Sequence, residues 1–165
     1  MKPVDRKSIL WQYLPEELRG LVSDGEILLG HAEAYRGKIS DFSYLVFPFS
    51  KAYEGFLKKL FLDLDLMRED EYYGDDIRIG RILNPHYIDD HSKKYKNICL
   101  RPGTNEDLSV RLWEVWRKGR NQVFHYFPHN FRRLSFDEAA EIISSIIHIM
   151  TESVSVCTLP RARLY

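Results

Sequence analysis

An arginine and a histidine five residues apart, Arg120 and His125, carry the side chains needed for metal-free chemistry on a phosphodiester. Histidine can both accept and donate a proton near neutral pH. The guanidinium of arginine presents a fixed fork of donors that suits phosphate oxygens. In RNA, a 2′-hydroxyl can attack the adjacent phosphorus while such a histidine handles the proton and such an arginine stabilises the developing charge.

The sequence around this pair is basic, although the chain as a whole has no net charge, with 24 Lys+Arg and 24 Asp+Glu. Between residues 111 and 133, six lysines and arginines, among them Arg117 and Lys118, stand against one acid, Glu114. This local excess predicts a site for a polyanion. Aromatic residues of the kind that stack on bases alternate with the cations: Phe124, Tyr126, Phe127 and Phe131. The apolar periodicity nevertheless favours Tyr126 and Phe127 as core residues.

A straight helix cannot aim both side chains of the pair at one small target. Five residues turn through about 500° in an α-helix, which leaves Arg120 and His125 about 140° apart. Either the helix loosens before Pro128, or two copies of the chain meet and each site takes groups from both. The second alternative predicts a symmetric homodimer.

Other chemistry has weaker support in the sequence. Phosphate-binding and dinucleotide-binding glycine motifs are absent, as is HExxH. Two groups could hold a metal: a loop cluster, and the pair His125 and His129. The loop cluster consists of His86, Asp89, Asp90 and His91. Because neither group has evident further ligands, we expect no metal site and no cofactor.

Apolar periodicity predicts the elements that position these residues. A stripe at three- and four-residue spacing indicates a helix over residues 41–65, which Pro48 should kink or start. Thr104 is expected to cap a second helix that ends near Phe127, before Pro128. A capping box formed by Ser135 and Glu138 opens a third helix, over about residues 136–156.

Upstream of these helices, residues 15–22 and 23–36 are predicted to form two shorter helices, with Ser23 as an N-cap. The acidic segment 63–76 is expected to be a solvated loop, and residues 77–101 are ambiguous. The prediction is an all-α bundle of about four to six helices with a kink at Pro48. It occupies residues 1–165 as one domain, with 1–40 as a lead-in and 41–156 as the core.

Two observations bear on the cellular compartment. The two cysteines, Cys99 and Cys157, lack CxxC spacing and fit a reduced intracellular protein. The first residues have no apolar core of a signal peptide, and no run of 18 uninterrupted apolar residues occurs. We therefore expect a cytoplasmic protein.

Two segments resemble a known family. RNQVFH, residues 120–125, is similar to the R-N-x-x-x-H ribonuclease motif of HEPN domains (higher eukaryote and prokaryote nucleotide-binding). FPFSKAYEGFLK, residues 47–58, resembles the kinked helix of the RNase LS toxin branch, in which a K-A-x-E-G-x-L pattern supplies an acidic residue. The segments occur in the family's order, and the resemblance covers roughly residues 41–152.

The resemblance implies roles for individual residues. Arg120 would contact the phosphate and His125 would be the general acid and base. Asn121 would position the motif or the scissile group, and Glu54 would orient Arg120 or His125. Apart from the resemblance, the basic residues Lys51, Arg117 and Lys118 are expected to bind substrate. Without the resemblance, Glu54 would be interpreted as a surface partner of Lys58.

The leading hypothesis is a metal-independent HEPN-like endoribonuclease, a toxin or phage-defence effector that acts on RNA, dimerises and is restrained by an antitoxin protein. One alternative is a non-catalytic HEPN-like module that binds RNA or protein. Another is a metal-dependent hydrolase that uses the His86 cluster. Phe127 stands where family members silenced by nucleotidyltransferase-type antitoxins often carry tyrosine, which argues against that mode of control.

Overall fold

The computed structural model describes residues 4–74, 76–86 and 108–157, and these residues form an all-α helical bundle without strands. Four helices have nine or more residues, and three are single turns of five. In chain order they are α1 (Ile9–Tyr13), α2 (Glu16–Ala32), α3 (Phe47–Asp63), α4 (Glu69–Tyr73), α5 (Ile79–Leu83), α6 (Leu108–Trp116) and α7 (Phe136–Val156). The predicted all-α bundle is confirmed, although the seven helices of the described residues exceed the predicted four to six.

The N-terminal helices belong to the same hydrophobic core as the rest of the bundle. The Ser8 hydroxyl accepts a hydrogen bond from the backbone N–H of Trp11 and so caps α1. Helix α2 runs without a break through Ser23, so the prediction of two helices with a cap at Ser23 is wrong. Leu10 and Val22 are both fully buried. Packing against α3 therefore outweighs the local capping preference of a serine within an apolar pattern.

Helix α3 begins where Pro48 stands. A 3₁₀ turn, Ser43–Val46, leads into it, and Pro48 occupies its first turn, where a missing N–H removes no helical hydrogen bond. Of the two alternatives for Pro48, the structure has the helix start; a kink within a continuous 41–65 helix is not observed. The buried face of α3 contains Phe49, Tyr53, Phe56, Leu57 and Leu60.

Between α3 and α6, the described chain forms two short helices. Helix α4 lies within the acidic segment that was predicted to be a loop, with an N-terminal turn that contains three acids. Negative side chains stabilise the N-terminal end of a helix, which accounts for the turn. Helix α5 settles the ambiguous residues 79–83 as helical, and buries Ile79, Ile82 and Leu83.

Helix α6 is shorter than predicted. Its α-helical part ends at Trp116 and passes into a π-helical turn, Arg117–Asn121, so the predicted end near Phe127 is wrong. Thr104, the predicted cap, lies outside the described residues. Leu108, Leu112 and Trp116 place the buried face of α6 against the core.

Helix α7 confirms its predicted bounds and cap. The Ser135 hydroxyl accepts a hydrogen bond from the backbone N–H of Glu138, whose carboxylate accepts one from the backbone N–H of Ser135. By length and hydropathy, α7 is the one described helix that could cross a membrane. In this bundle its apolar residues Ile143, Ile146 and Ile149 are buried in the core.

One cysteine follows α7 directly. Cys157 is buried and disulfide-bonded, which contradicts the expectation of a free thiol there. Cys99, the other cysteine in the sequence, lies outside the described residues. Disulfides are typical of oxidising compartments. The cysteines therefore give no support to the expected cytoplasmic location.

Candidate ribonuclease site on the π turn

The sequence segment that suggested chemistry begins in the π turn after α6. The backbone N–H of Gln122 donates to the carbonyl of Arg117, five residues earlier, where a regular α-helix would have a spacing of four. Gly119 is buried at the centre of the turn, where a Cβ would lie 3.0 Å from Cδ1 of Ile146 in α7. Glycine thus lets the widened turn pack directly against α7.

A buried hydrogen bond joins the π turn to α3. The Ser50 hydroxyl donates to the carbonyl oxygen of Gly119, inside the turn. Helix widening disturbs the regular sequence of backbone hydrogen bonds, so a side-chain donor at this point satisfies a carbonyl that lies out of reach of water. Ser50, in the first turn of α3, therefore supports the candidate site by holding the π turn against α3.

Glu54 and Arg120, which the resemblance placed in one site, are neighbours in the structure. Oε2 of Glu54 lies 3.6 Å from Nε of Arg120, with 36% and 44% of the two side chains exposed. The Arg120 guanidinium also lies 5.2 Å from the ring centre of Trp116. The alternative surface pair of Glu54 with Lys58 does not form in the described part of the chain. Glu54 therefore restrains Arg120 from one side and leaves the guanidinium accessible to a ligand.

His125 lies beyond the π turn, in an exposed irregular segment. The backbone N–H of Phe124 still donates to the carbonyl of Arg120, but the chain leaves helical geometry at this point. Loosening before Pro128, the first of the two alternatives, is thus observed. Within the described residues no hydrogen bond or ion pair joins Arg120 to His125 in one chain.

The four residues predicted to bind substrate lie on α3 and on the π turn. Lys51 is exposed on α3, one turn before Glu54, while Arg117 and Lys118 are exposed on the π turn and Asn121 is partly buried. None of these side chains has an ion-pair or hydrogen-bond partner in the described ranges. Three cations are therefore available to an anionic ligand beside Arg120.

The aromatic residues near the motif differ from the prediction in two ways: two expected core residues are not buried, and Phe47 joins the site. Tyr126 is 79% exposed and Phe127 is only partly buried, so assigning them to the core was wrong. The apolar pattern of α6 does not continue to them because the helix has already ended. Phe47, which sequence reasoning missed, packs edge-to-face on Phe124 with ring centres 5.6 Å apart, although both are exposed. The sequence signal that could have identified Phe47 is its position directly before Pro48, at the start of α3.

Asp41 is a second residue that the sequence analysis overlooked. Its carboxylate accepts hydrogen bonds from the N–H and hydroxyl of Ser43, the amide of Asn130 and the N–H of Leu134. Partial burial alone would raise the pKa of Asp41, but these hydrogen bonds outweigh burial and lower its pKa below the usual value. The loop after the motif is thereby fixed to the start of α3, even though His129 and Asn130 have positive φ of 60° and 49°.

The structure describes only one of the two groups of possible metal ligands in full. Of the loop cluster only His86 is described, since Asp89, Asp90 and His91 fall in the undescribed stretch. His125 and His129 are both exposed. In the described ranges no three histidine, cysteine, aspartate or glutamate side chains form a group that could hold a metal ion. The described chain therefore offers only isolated ligands.

No family model matches this chain, and no curated protein or solved structure is similar to it. The resemblance to HEPN domains therefore rests on the two sequence segments. The geometry adds that those segments touch, through Glu54 with Arg120 and Phe47 with Phe124, and that Ser50 bonds to Gly119 directly before the motif.

Proposed function

We propose that this chain is a metal-independent endoribonuclease of the HEPN type, with Arg120 and His125 as catalytic residues. The observation that carries the proposal is the ion pair of Glu54 with Arg120. Two segments chosen separately for their ribonuclease-like patterns meet at these two side chains. A chance match of either pattern would give no reason for that contact.

The chemistry follows from the groups present. The RNA 2′-oxygen forms a bond to phosphorus while the bond from phosphorus to the 5′-oxygen breaks, which gives a 2′,3′-cyclic phosphate and a 5′-hydroxyl. His125 takes the proton of the 2′-hydroxyl and returns it to the leaving 5′-oxygen, and such acid–base catalysis raises the rate about 10²–10⁴-fold. Arg120 stabilises the negative charge on the phosphoryl oxygens. Glu54 orients Arg120, and Asn121 positions the phosphodiester.

Binding would come from the exposed cations and aromatics around the pair. Lys51, Arg117 and Lys118 supply positive charge, and the ring of Tyr126 is exposed for stacking. A ribonuclease with so open a site is dangerous to its own cell, so we propose a toxin or defence effector that a partner protein restrains. We also propose that it works as a homodimer in the cytoplasm.

The test is cleavage of end-labelled single-stranded RNA in excess EDTA. The parent should cleave and leave a cyclic phosphate end, whereas Arg120→Ala and His125→Ala should lose at least about 100-fold in rate. Arg36→Ala is a matched control, because Arg36 is 45% exposed, pairs with Asp137 and lies over Phe136. His31→Ala, at an exposed position of α2, controls for loss of a histidine.

Retention of cleavage in both site variants would remove the proposal. A second function has its own support in the same exposed cations and rings, namely a non-catalytic module that binds RNA or protein. It predicts RNA binding by the parent with no cleavage product at any enzyme concentration. Activity that disappears in EDTA would instead favour a metal-dependent hydrolase.

A further inference from the structure

A cleft of about 520 Å³ opens beside the π turn. It lies between the turn, the loop that follows it and α7, and none of its residues belongs to the Arg120–Glu54 pair. Its lining includes Lys118, Gln122, Phe131, Arg132, Arg133 and Glu141. This volume lies within the range of about 300–1,000 Å³ that is typical of small-ligand sites.

The π turn presents different residues to its two sides. Toward α3 it presents Arg120 and, beyond the turn, Phe124, which contact Glu54 and Phe47. Toward α7 it presents Lys118 and Gln122, which line the cleft. Arg120 and the cleft residue Lys118 are two positions apart on the same turn, so the two surfaces are neighbours.

The cleft combines an accessible ring with unpaired cations. Phe131 is 65% exposed, and its ring is held edge-to-face at 5.4 Å by Phe127. The Arg132 guanidinium lies 4.0 Å from the centre of the Phe127 ring. The same guanidinium lies 5.6 Å from the ring centre of Phe131, so Phe131 has two supporting neighbours and is still largely exposed.

The charge balance of the cleft favours an anion. In the described part of the chain, Lys118, Arg132 and Arg133 have no carboxylate partner. Of the two carboxylates that line the cleft, Glu138 is occupied by Ser135 in the capping box of α7, and Glu141 is exposed. Three cations therefore stand against two carboxylates, and the cleft keeps a net positive charge.

We propose that this cleft is a nucleotide-binding subsite for single-stranded RNA, which holds the nucleotide next to the scissile phosphodiester. The base stacks on Phe131, and the phosphate binds Lys118 and Arg133. Stacking on an open ring requires an unpaired base, so the subsite selects single strands over duplexes. The inference rests on the proposed ribonuclease function for its orientation, but its binding test does not depend on turnover.

The experiment measures fluorescence anisotropy of a labelled single-stranded RNA in the His125→Ala background, over a range of salt concentrations. Phe131→Ala should weaken binding about 5- to 150-fold, the range for loss of one stacked base. Its salt dependence should stay unchanged. Lys118→Gln should lower the slope of log affinity against log salt by about 0.7, as expected for one lost phosphate contact with a single strand.

Two controls match these changes elsewhere on the surface. Tyr73→Ala removes an aromatic that is 80% exposed on α4, and Lys7→Gln removes an exposed lysine near the N-terminus. Both should leave RNA affinity within about twofold, since neither residue lines the cleft. Thermal unfolding of each variant verifies that the bundle remains folded.

The outcomes separate this inference from the proposed function. Equal RNA affinity for the background protein, Phe131→Ala and Lys118→Gln would overturn the subsite, whatever the cleavage assay gives. Weakened binding in both variants, with a parent that does not cleave, would support the subsite and remove the ribonuclease. Phe131→Ala should not change the affinity for inorganic polyphosphate, which has no base, and an equal loss for both polyanions would overturn stacking.

Discussion

The hydroxyl of Ser50 donates a hydrogen bond to the carbonyl oxygen of Gly119, and this buried contact holds α3 against the π turn. The residues of this contact adjoin those of the Glu54–Arg120 pair in sequence: Ser50 lies one turn before Glu54, and Gly119 directly precedes Arg120. Because the π turn breaks the regular ladder of backbone hydrogen bonds, the geometry of Arg120 depends on a side chain of α3.

Ser50→Ala should therefore affect both stability and activity. Removing the hydroxyl leaves the buried Gly119 carbonyl without this donor, which costs about 1–3 kcal/mol. Urea unfolding measures the change, with Ser155→Ala as control, because the exposed Ser155 hydroxyl donates only to the carbonyl of Thr151 within α7. RNA cleavage by Ser50→Ala should fall at a temperature where the variant is still folded. Equal unfolding midpoints for the two variants would contradict this role of Ser50.

Glu54→Gln tests whether the carboxylate orients Arg120. We expect RNA cleavage to fall at least tenfold, while the free energy of unfolding changes by no more than about 1 kcal/mol, since exposed ion pairs contribute little to stability. Lys58→Gln is the matched control on the same helix, because Glu54 makes its ion pair with Arg120 and not with Lys58 in the described chain. Similar rates for the two variants would show that Glu54 is a surface residue only.

The pKa of Asp41 makes part of the stability dependent on pH. Because hydrogen bonds to the ionised carboxylate lower its pKa in the folded protein, this stability is fully present above the unfolded-state pKa of about 3.9. It is lost as the pH falls through the lower, folded-state pKa. Asp41→Asn should therefore reduce the free energy of unfolding at pH 7, and its difference from the parent should shrink below about pH 4.

Asp24→Asn, at an exposed position of α2, is the control for loss of a carboxylate. Urea unfolding between pH 7 and pH 3 compares the three proteins. A constant difference between the parent and Asp41→Asn over this range would mean that ionisation of Asp41 contributes nothing. Hydrogen exchange at Leu134, whose N–H donates to Asp41, should become faster in Asp41→Asn if the loop is released.

Three glycines of α2 test the contact between α2 and α3. A Cβ at Gly25 would lie 2.4 Å from Cε2 of Phe49, whereas a Cβ at Gly20 or Gly30 would meet nothing within 4 Å. Gly25→Ala should destabilise the bundle by about 1–3 kcal/mol through overpacking. Gly20→Ala and Gly30→Ala should stabilise it by up to about 1 kcal/mol, because alanine is the better helix former. Thermal unfolding of the three variants gives the comparison, and a stabilised Gly25→Ala would contradict the packing.

Local signals predicted those parts of the fold that local interactions determine. The capping box of Ser135 and Glu138 gave the start of α7, and the apolar stripe around Phe56 gave the body of α3. Ser23 was misjudged because capping preference is a weak signal inside a helix whose apolar face packs on a neighbour. The apolar periodicity of one segment contains no information about the neighbouring helix against which it packs.

The candidate site was predictable in its residues but not in its geometry. RNQVFH and the pattern around Glu54 selected Glu54 and Arg120, which the structure brings together, and also His125, for which no contact with either is described. The π turn was not predictable, because it depends on Gly119 fitting against Ile146 and on Ser50 as a donor, both distant in sequence. Continuing a 3.6-residue period through that turn placed Tyr126 in the core, whereas it is exposed.

The proposed homodimer makes a prediction that distinguishes a shared site from a site within one chain. If each site takes Arg120 from one chain and His125 from the other, a mixture of Arg120→Ala and His125→Ala regains activity, because each mixed dimer holds one intact site. Random pairing puts half of the chains in mixed dimers, so about a quarter of the parent activity should return. Sites confined to one chain would regain none.

The control for this mixing experiment replaces His125→Ala by the double variant Arg120→Ala/His125→Ala, which leaves no intact combination. Light scattering at micromolar concentration establishes whether dimers form at all. A monomeric protein that cleaves RNA would instead require the substrate to bridge the two residues, and mixing would then leave the inactive variants inactive.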